Sequence, residues 1–274
     1  MSKKIALVSV FNKEGVVDLV NGLVKHDFEI LSTGGTAKLL RKGGIDVIDV
    51  SDYTGQEEIL GGRVKTLHPK VFGGILATDD KKHQEEIEEL GIKKLDLVVV
   101  NLYPFEETIG KGSKLKEILE NIDIGGHSLM RAAAKNFNEI SVLSDPEDYA
   151  SYLEVLEEDK VDDDFRADLA AKAFMVAARY DTIISRFFAG EFLSETFPEI
   201  YNSSFKKIQD LRYGENPHQQ GAFYRSYFVG EACVGNSKQI QGKQLSYNNI
   251  LDANDAFELV KEFKEPVAAV IKHT

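Results

Sequence analysis

The stretch "GGRVKTLHP" at residues 61–69 places Arg63, Lys65 and His68 behind two glycines and ahead of Pro69, in a chain whose formal net charge is −12. Arginine offers a planar fork suited to phosphate, and lysine a compact charge that can polarise a carbonyl oxygen or move a proton. If the stretch is extended, alternation puts Arg63 and Lys65 on one side. The alternative is a solvated basic loop, though the flanking glycines and His-Pro constrain the backbone and favour a ligand site. Two further loops have related chemistry. "STGGT" (32–36) brings hydroxyls and two glycines to the start of a helix, where an anion is favoured; a plain turn capped by threonine is the alternative. "DIGGHSLMRAAAKN" (123–136) follows "NLYPF" (101–105), so that Asp123, Lys135, Asn101 and Tyr103 join the set. Taken singly, each of these is an ordinary turn or edge residue. Together they could run proton transfers without a metal.

These loops must be positioned by the elements around them. Apolar β-branched runs at 4–10, 28–33, 46–50, 95–103 and 139–144 read as strands, with a further apolar run at 71–76. Helical periodicity falls at 13–27, 36–43, 81–90, 114–122 and 127–135, and the chain turns helical from 146 to 190. Strands joined by crossover helices predict an α/β fold with a parallel, doubly wound Rossmann-like sheet. Ligands in such sheets sit at the carboxyl ends of the strands. The order breaks near "SETFPEIYNSSF" (194–205), which predicts domains at 1–195 and 196–274, the second holding a helix over 250–263 and a final strand over 266–273. That strand would lie uncovered at the end of an incomplete second α/β domain, so a truncated chain is expected.

With 274 residues and 43% hydrophobic content, the composition is that of a globular protein able to bury its own core. The acidic balance argues against non-specific nucleic-acid binding. One cysteine, Cys233, excludes an intrachain disulfide. No apolar run approaches the ~18 residues of a membrane span. A cytoplasmic protein is expected. The six histidines form no metal-ligand spacing, and no Walker A loop or GxGxxG occurs.

"STGGTAKLL", "GGRVKTLHPKVFGGIL", "NLYPF", "DIGGHSLMRAAAKN" and "LRYGENPHQ" occur in this order in the chain. In this the chain resembles the bifunctional AICAR formyltransferase/IMP cyclohydrolases of purine biosynthesis, across essentially its whole length. The resemblance implies a methylglyoxal synthase-like fold for the first domain, followed by helices and the start of the transformylase domain. It implies a cyclohydrolase that closes the purine ring of formyl-AICAR without a cofactor. Formyl-tetrahydrofolate is the co-substrate of the family's other activity. By the same resemblance Lys135 is the proton donor and acceptor, and Lys65, Tyr103 and Asp123 complete the catalytic pocket. Lys65 is assigned to polarise the formyl oxygen and Asp123 to orient the amide. Asn12, Lys13, Thr33, Gly34, Gly35, Thr36, Arg63, Thr66, Asn101 and Gly125 bind the ribotide. Arg212, Tyr213 and Lys272 match transformylase substrate positions, and His273 its general base. The family continues beyond this pair, so formyl transfer by the 274-residue chain is not expected. A homodimer is expected. Methylglyoxal synthase, which relies on aspartates for proton transfer, and a non-catalytic nucleotide-sensing module are the competing readings.

Overall fold

The structure, a computed structural model, describes residues 3–110, 112–194, 197–227 and 230–273. It falls into two compact units, Met1–Leu193 and Ser194–Thr274. The boundary expected between Glu195 and Thr196 lies outside the described residues.

The first unit is built on a five-stranded sheet in the order β3-β2-β1-β4-β5, every neighbouring pair parallel. The strands are β1 (Lys4–Val10), β2 (Phe28–Ser32), β3 (Ile48–Asp49), β4 (Leu97–Asn101) and β5 (Ser141–Leu143). The helices between them are α1 (Val16–Lys25), α2 (Gly34–Lys42), α3 (Val50–Thr54), α4 (Pro69–Leu76) and α5 (Lys81–Glu89). After β4 come α6 (Phe105–Gly110), α7 (Leu115–Glu120) and α8 (Gly125–Lys135), and after β5 come α9 (Tyr149–Glu157) and α10 (Asp163–Phe192). The apolar run at 71–76 is therefore helix: Pro69 opens it at a favoured first-turn position, and His68 Nδ1 accepts the Lys70 amide at 3.1 Å.

Both faces of the sheet are buried, which explains why its strands read as continuous apolar runs. Along β1, Ile5 and Leu7 point into a core shared with α4, α8 and α10. Ala6, Val8 and Val10 point into a second core against α1, α2 and α9. The chain winds from β1 outward to β3, then returns to add β4 on the other side of β1. The sheet reverses its order at that β1–β4 junction, where a ligand crevice opens beyond the carboxyl ends of the strands. α10, with 30 residues, runs past α8 and α6 and closes a third small core with Phe105, Ile118, Tyr180 and Ile183.

The second unit holds an antiparallel pair, β6 (Phe205–Asp210) and β7 (Ala222–Ser226), and α11 (Tyr247–Lys261), which opens on a capping box at Ser246 and Asn249. The strand expected over 266–273 does not form. No strand among the described residues lies alongside to supply a hydrogen-bonding ladder, and Val267 and Val270 stand exposed. No described helix is long and apolar enough to cross a membrane.

Candidate active site

A cavity of about 770 Å³ opens at the β1–β4 junction, within the size range of small-molecule sites. Its floor is the mouth of β1. The Asn101 side chain, at the end of β4, accepts the amides of Phe11 and Asn12 at 2.7 and 2.8 Å and donates to the Asn12 carbonyl at 3.0 Å. Asn101 thus holds the 11–12 turn in shape, while the Asn12 side chain accepts the Glu14 amide at 3.0 Å. Next along the turn, the Lys13 ammonium donates to the Val10 carbonyl and to Thr36 Oγ1 at 3.0 Å. Burial lowers the proton affinity of Lys13, and the nearby charge of Lys65 lowers it further.

The second wall is the start of α2. Thr33 stands at the N-cap, yet its hydroxyl makes no cap hydrogen bond and lies 3.3 Å from Ser9 Oγ instead. The first amides of the helix are left without a side-chain cap at the positive end of its dipole, a disposition suited to an anion. Gly34 has a φ of +49°, which favours glycine. The Lys65 ammonium lies 3.7 Å from where a Gly34 side chain would begin.

The third wall carries the basic stretch. Residues 59–64 form a tight turn closed by the Ile59 and Val64 backbones, with Leu60, Gly61 and Gly62 all at positive φ. This replaces the extended segment expected there: Arg63 has helical dihedrals, and the turn rather than strand alternation carries both cations to the cavity. Two carboxylates meet them. Arg63 pairs with Glu120 at the end of α7, and Lys65 lies 3.8 Å from Glu58. Thr66 is buried, its hydroxyl 3.1 Å from where a Gly125 side chain would begin, a close approach of the two walls.

The last wall is the turn into α8. Asp123 Oδ1 accepts the Gly126 amide at 2.7 Å. Burial pushes the Asp123 carboxyl upward, opposed by the Gly126 amide, His127, the Tyr103 amide and Lys65. The Tyr103 phenol is likewise raised, first by burial and then by the charge of Asp123. Phe11 packs edge-on against Tyr103, with ring centres 5.3 Å apart, and the pair offers an aromatic edge at the cavity rim.

Of the candidates in the first unit, Lys13, Thr33, Gly34, Gly35, Thr36, Arg63, Lys65, Thr66, Asn101, Tyr103, Asp123 and Gly125 line this one cavity, with Asn12 adjoining it. Lys135 does not. It ends α8, ten residues and about 15 Å from the helix start that faces the cavity, and it is exposed there. In the second unit, the Arg212 guanidinium lies 4.9 Å from the Tyr213 ring centre, and exposed His273 pairs with Asp252 at 3.3 Å. Lys272 is exposed beside it.

Sequence reasoning missed Glu58, Glu120 and Tyr180. The two glutamates carry no signal among 45 acidic residues. Tyr180 does carry one, since a tyrosine on an apolar helix face needs a partner for its hydroxyl once buried.

Residues 133–274 match the model of the AICARFT/IMPCHase bienzyme, and residues 15–128 that of the MGS-like domain. The chain belongs to the AICARFT/IMPCHase bienzyme family. Among relatives of the bienzyme, it is 52% identical to the bifunctional purine biosynthesis protein PurH of Magnetococcus marinus over 278 residues, covering 98% of this chain and 52% of that protein. The Oceanobacillus iheyensis protein of the same name is 48% identical over 275 residues, with coverages of 100% and 54%. The chain thus spans about half the length of the curated bienzymes it matches. A crystal structure of ForH superposes with a TM-score of 0.60 at 36% identity, covering 69% of this chain and all of ForH.

Proposed function

We propose that the first unit is an IMP cyclohydrolase, which closes the purine ring of formyl-AICAR with loss of water. The observation that carries this reading is that Lys13, Arg63, Lys65 and the uncapped start of α2 share one cavity with Asp123 and Tyr103. A ribotide's phosphate, with roughly −1.5 to −2 charges at neutral pH, matches the cationic side. Ring closure then needs the carboxamide nitrogen held against the formyl carbon, charge stabilisation on the formyl oxygen, and a path for protons. Lys65 borders the start of α2, lines the same cavity as Asp123, and supplies the charge at the formyl oxygen. Asp123 accepts a hydrogen bond from the carboxamide and orients it. Burial raises the Asp123 carboxyl and the Tyr103 phenol above their ordinary values, and the two groups can pass a proton. These residues need no metal or folate.

The proposal includes a dimer. On α10, Phe174 and Met175 are exposed, and the Arg131 guanidinium lies 5.7 Å from the Phe174 ring centre. Lys135 follows Arg131 by one turn of α8 and shares its face. A second copy covering this apolar surface would receive Lys135 at its own cavity, where the lysine would serve as the proton shuttle. For the whole bienzyme, formyl transfer from formyl-tetrahydrofolate to AICAR is the proposed second activity, with Arg212, Tyr213, Lys272 and His273 contributing to its site.

The test mixes the chain with formyl-AICAR, adds no folate or metal, and follows IMP in the ultraviolet. Tight IMP binding without ring closure would favour a sensing module. Methylglyoxal from dihydroxyacetone phosphate would favour a synthase.

A further inference from the structure

The cations of the cavity are not bare. Arg63 is held by Glu120, which reaches in from the end of α7, and Lys65 stands 3.8 Å from Glu58, on the loop after α3. The four side chains are between 32% and 67% exposed, so an incoming anion reaches both pairs. Pairs this exposed add little to stability. Nor do the carboxylates anchor the backbone: no backbone amide donates to either one among the described residues.

The Lys65 ammonium also lies 3.7 Å and 3.5 Å from where side chains on Gly34 and Gly62 would begin, and so spans the two loops at which an anion would sit. A phosphate entering between them meets Arg63 and Lys65 already engaged. Arg63 offers it a bidentate fork, a stronger arrangement than one carboxylate contact.

We propose that Glu120 and Glu58 are built-in counter-ions, which a phosphate-bearing ligand displaces from Arg63 and Lys65 and which return to speed its release. Glu120 and Glu58 thereby set the residence time of the product without touching the reacting atoms. The inference rests on the ribotide reading for the identity of the ligand but not for the displacement itself.

The experiment measures binding of IMP, inosine and inorganic phosphate to the full chain by calorimetry and IMP dissociation by stopped flow. Wild type is compared with Glu120→Gln, Glu58→Gln, Arg63→Gln and the double variant Arg63→Gln/Glu120→Gln, all checked for unchanged thermal unfolding. Glu120→Gln is expected to bind IMP about two- to fivefold more tightly, through slower dissociation, with inosine affinity unaltered. Glu58→Gln is expected to act in the same direction. In the Arg63→Gln background the Glu120→Gln gain should vanish. Equal or weaker IMP binding by Glu120→Gln would overturn the proposal, as would a gain that persists without Arg63. Should wild type bind inorganic phosphate but not IMP, the ribotide reading falls and the same comparison made with phosphate decides the counter-ions. Binding of neither ligand overturns both.

Discussion

The backbone amide of Asp123 donates to the phenol oxygen of Tyr180 at 2.9 Å, and that phenol donates in turn to the Asn121 carbonyl at 2.9 Å. A side chain of α10, 57 residues further along, therefore sets the turn that aims the Asp123 carboxylate. Burial raises the Tyr180 phenol to about 12, so it remains a donor across the working range of pH.

Tyr180→Phe removes both bonds while leaving the ring to fill the same space. The Asp123 amide and Asn121 carbonyl lose their partner, and a destabilisation of about 1–3 kcal/mol is expected. Ring closure should fall about tenfold, as expected for a misplaced catalytic group, with little change in KM. Urea unfolding and steady-state kinetics check the two effects separately.

Gly126 allows the Asp123 carboxylate to lie against the first turn of α8. A Cβ at this position would stand 2.6 Å from Asp123 Oδ2, too close for the carboxylate to stay in place. Displacing the carboxylate breaks its bond to the Gly126 amide, so Gly126→Ala should lose on the order of 1 kcal/mol of stability despite the helix preference of alanine. Its turnover should drop on the order of tenfold to a hundredfold. A melting curve with a parallel rate measurement tests both halves.

Asp123 also ties stability to pH. Its folded-state carboxyl is raised above the ordinary 3.8, mainly by burial. The stability it contributes is therefore fully present below about that ordinary value and is lost as pH rises through the raised one. Asp123→Asn lacks this loss. Unfolding free energies followed from pH 3 upward should show the variant gaining on wild type across that window, then a constant difference. Its ring closure should be lower by about a hundredfold or more, since a proton path and an acceptor are removed.

The position of Lys135 yields a test of assembly. If the lysine serves the cavity of a second copy, Lys135→Ala and Asp123→Asn are each inactive alone. Mixed and allowed to exchange, they would form hybrids with one cavity that holds both groups. Recovery of activity on mixing is the expected result, and absence of recovery would return Lys135 to its own chain.

Much of this was legible in the residues. Apolar runs joined by amphipathic helices announced the parallel sheet, because strands buried on both faces cannot alternate with polar residues. "STGGT" announced a glycine-lined strand-to-helix turn, with an anion site and a plain capped turn both open; only the fold shows that the turn lines the cavity without a side-chain cap. The turn at 59–64 was not legible, since Gly61 and Gly62 permit an extended path as readily as the left-handed one observed. Nor was the strand expected over 266–273 decidable: Val267, Val270 and their neighbours have the right propensity, but a strand needs a partner's ladder, which no propensity supplies.

By itself the sequence determined the types of chemistry present, the α/β layering, and the order in which Lys13, STGGT, Arg63, Lys65, Tyr103 and Asp123 enter the chain. Local propensity and periodicity act within a few residues, and those features need no more. Only the tertiary structure decided that Glu58 and Glu120 meet Lys65 and Arg63, that Tyr180 holds the Asp123 turn, and that Lys135 is carried away from its own cavity on the far end of α8. Each of these depends on how elements distant in sequence pack across the sheet, and packing is fixed by burial of whole faces rather than by neighbours along the chain.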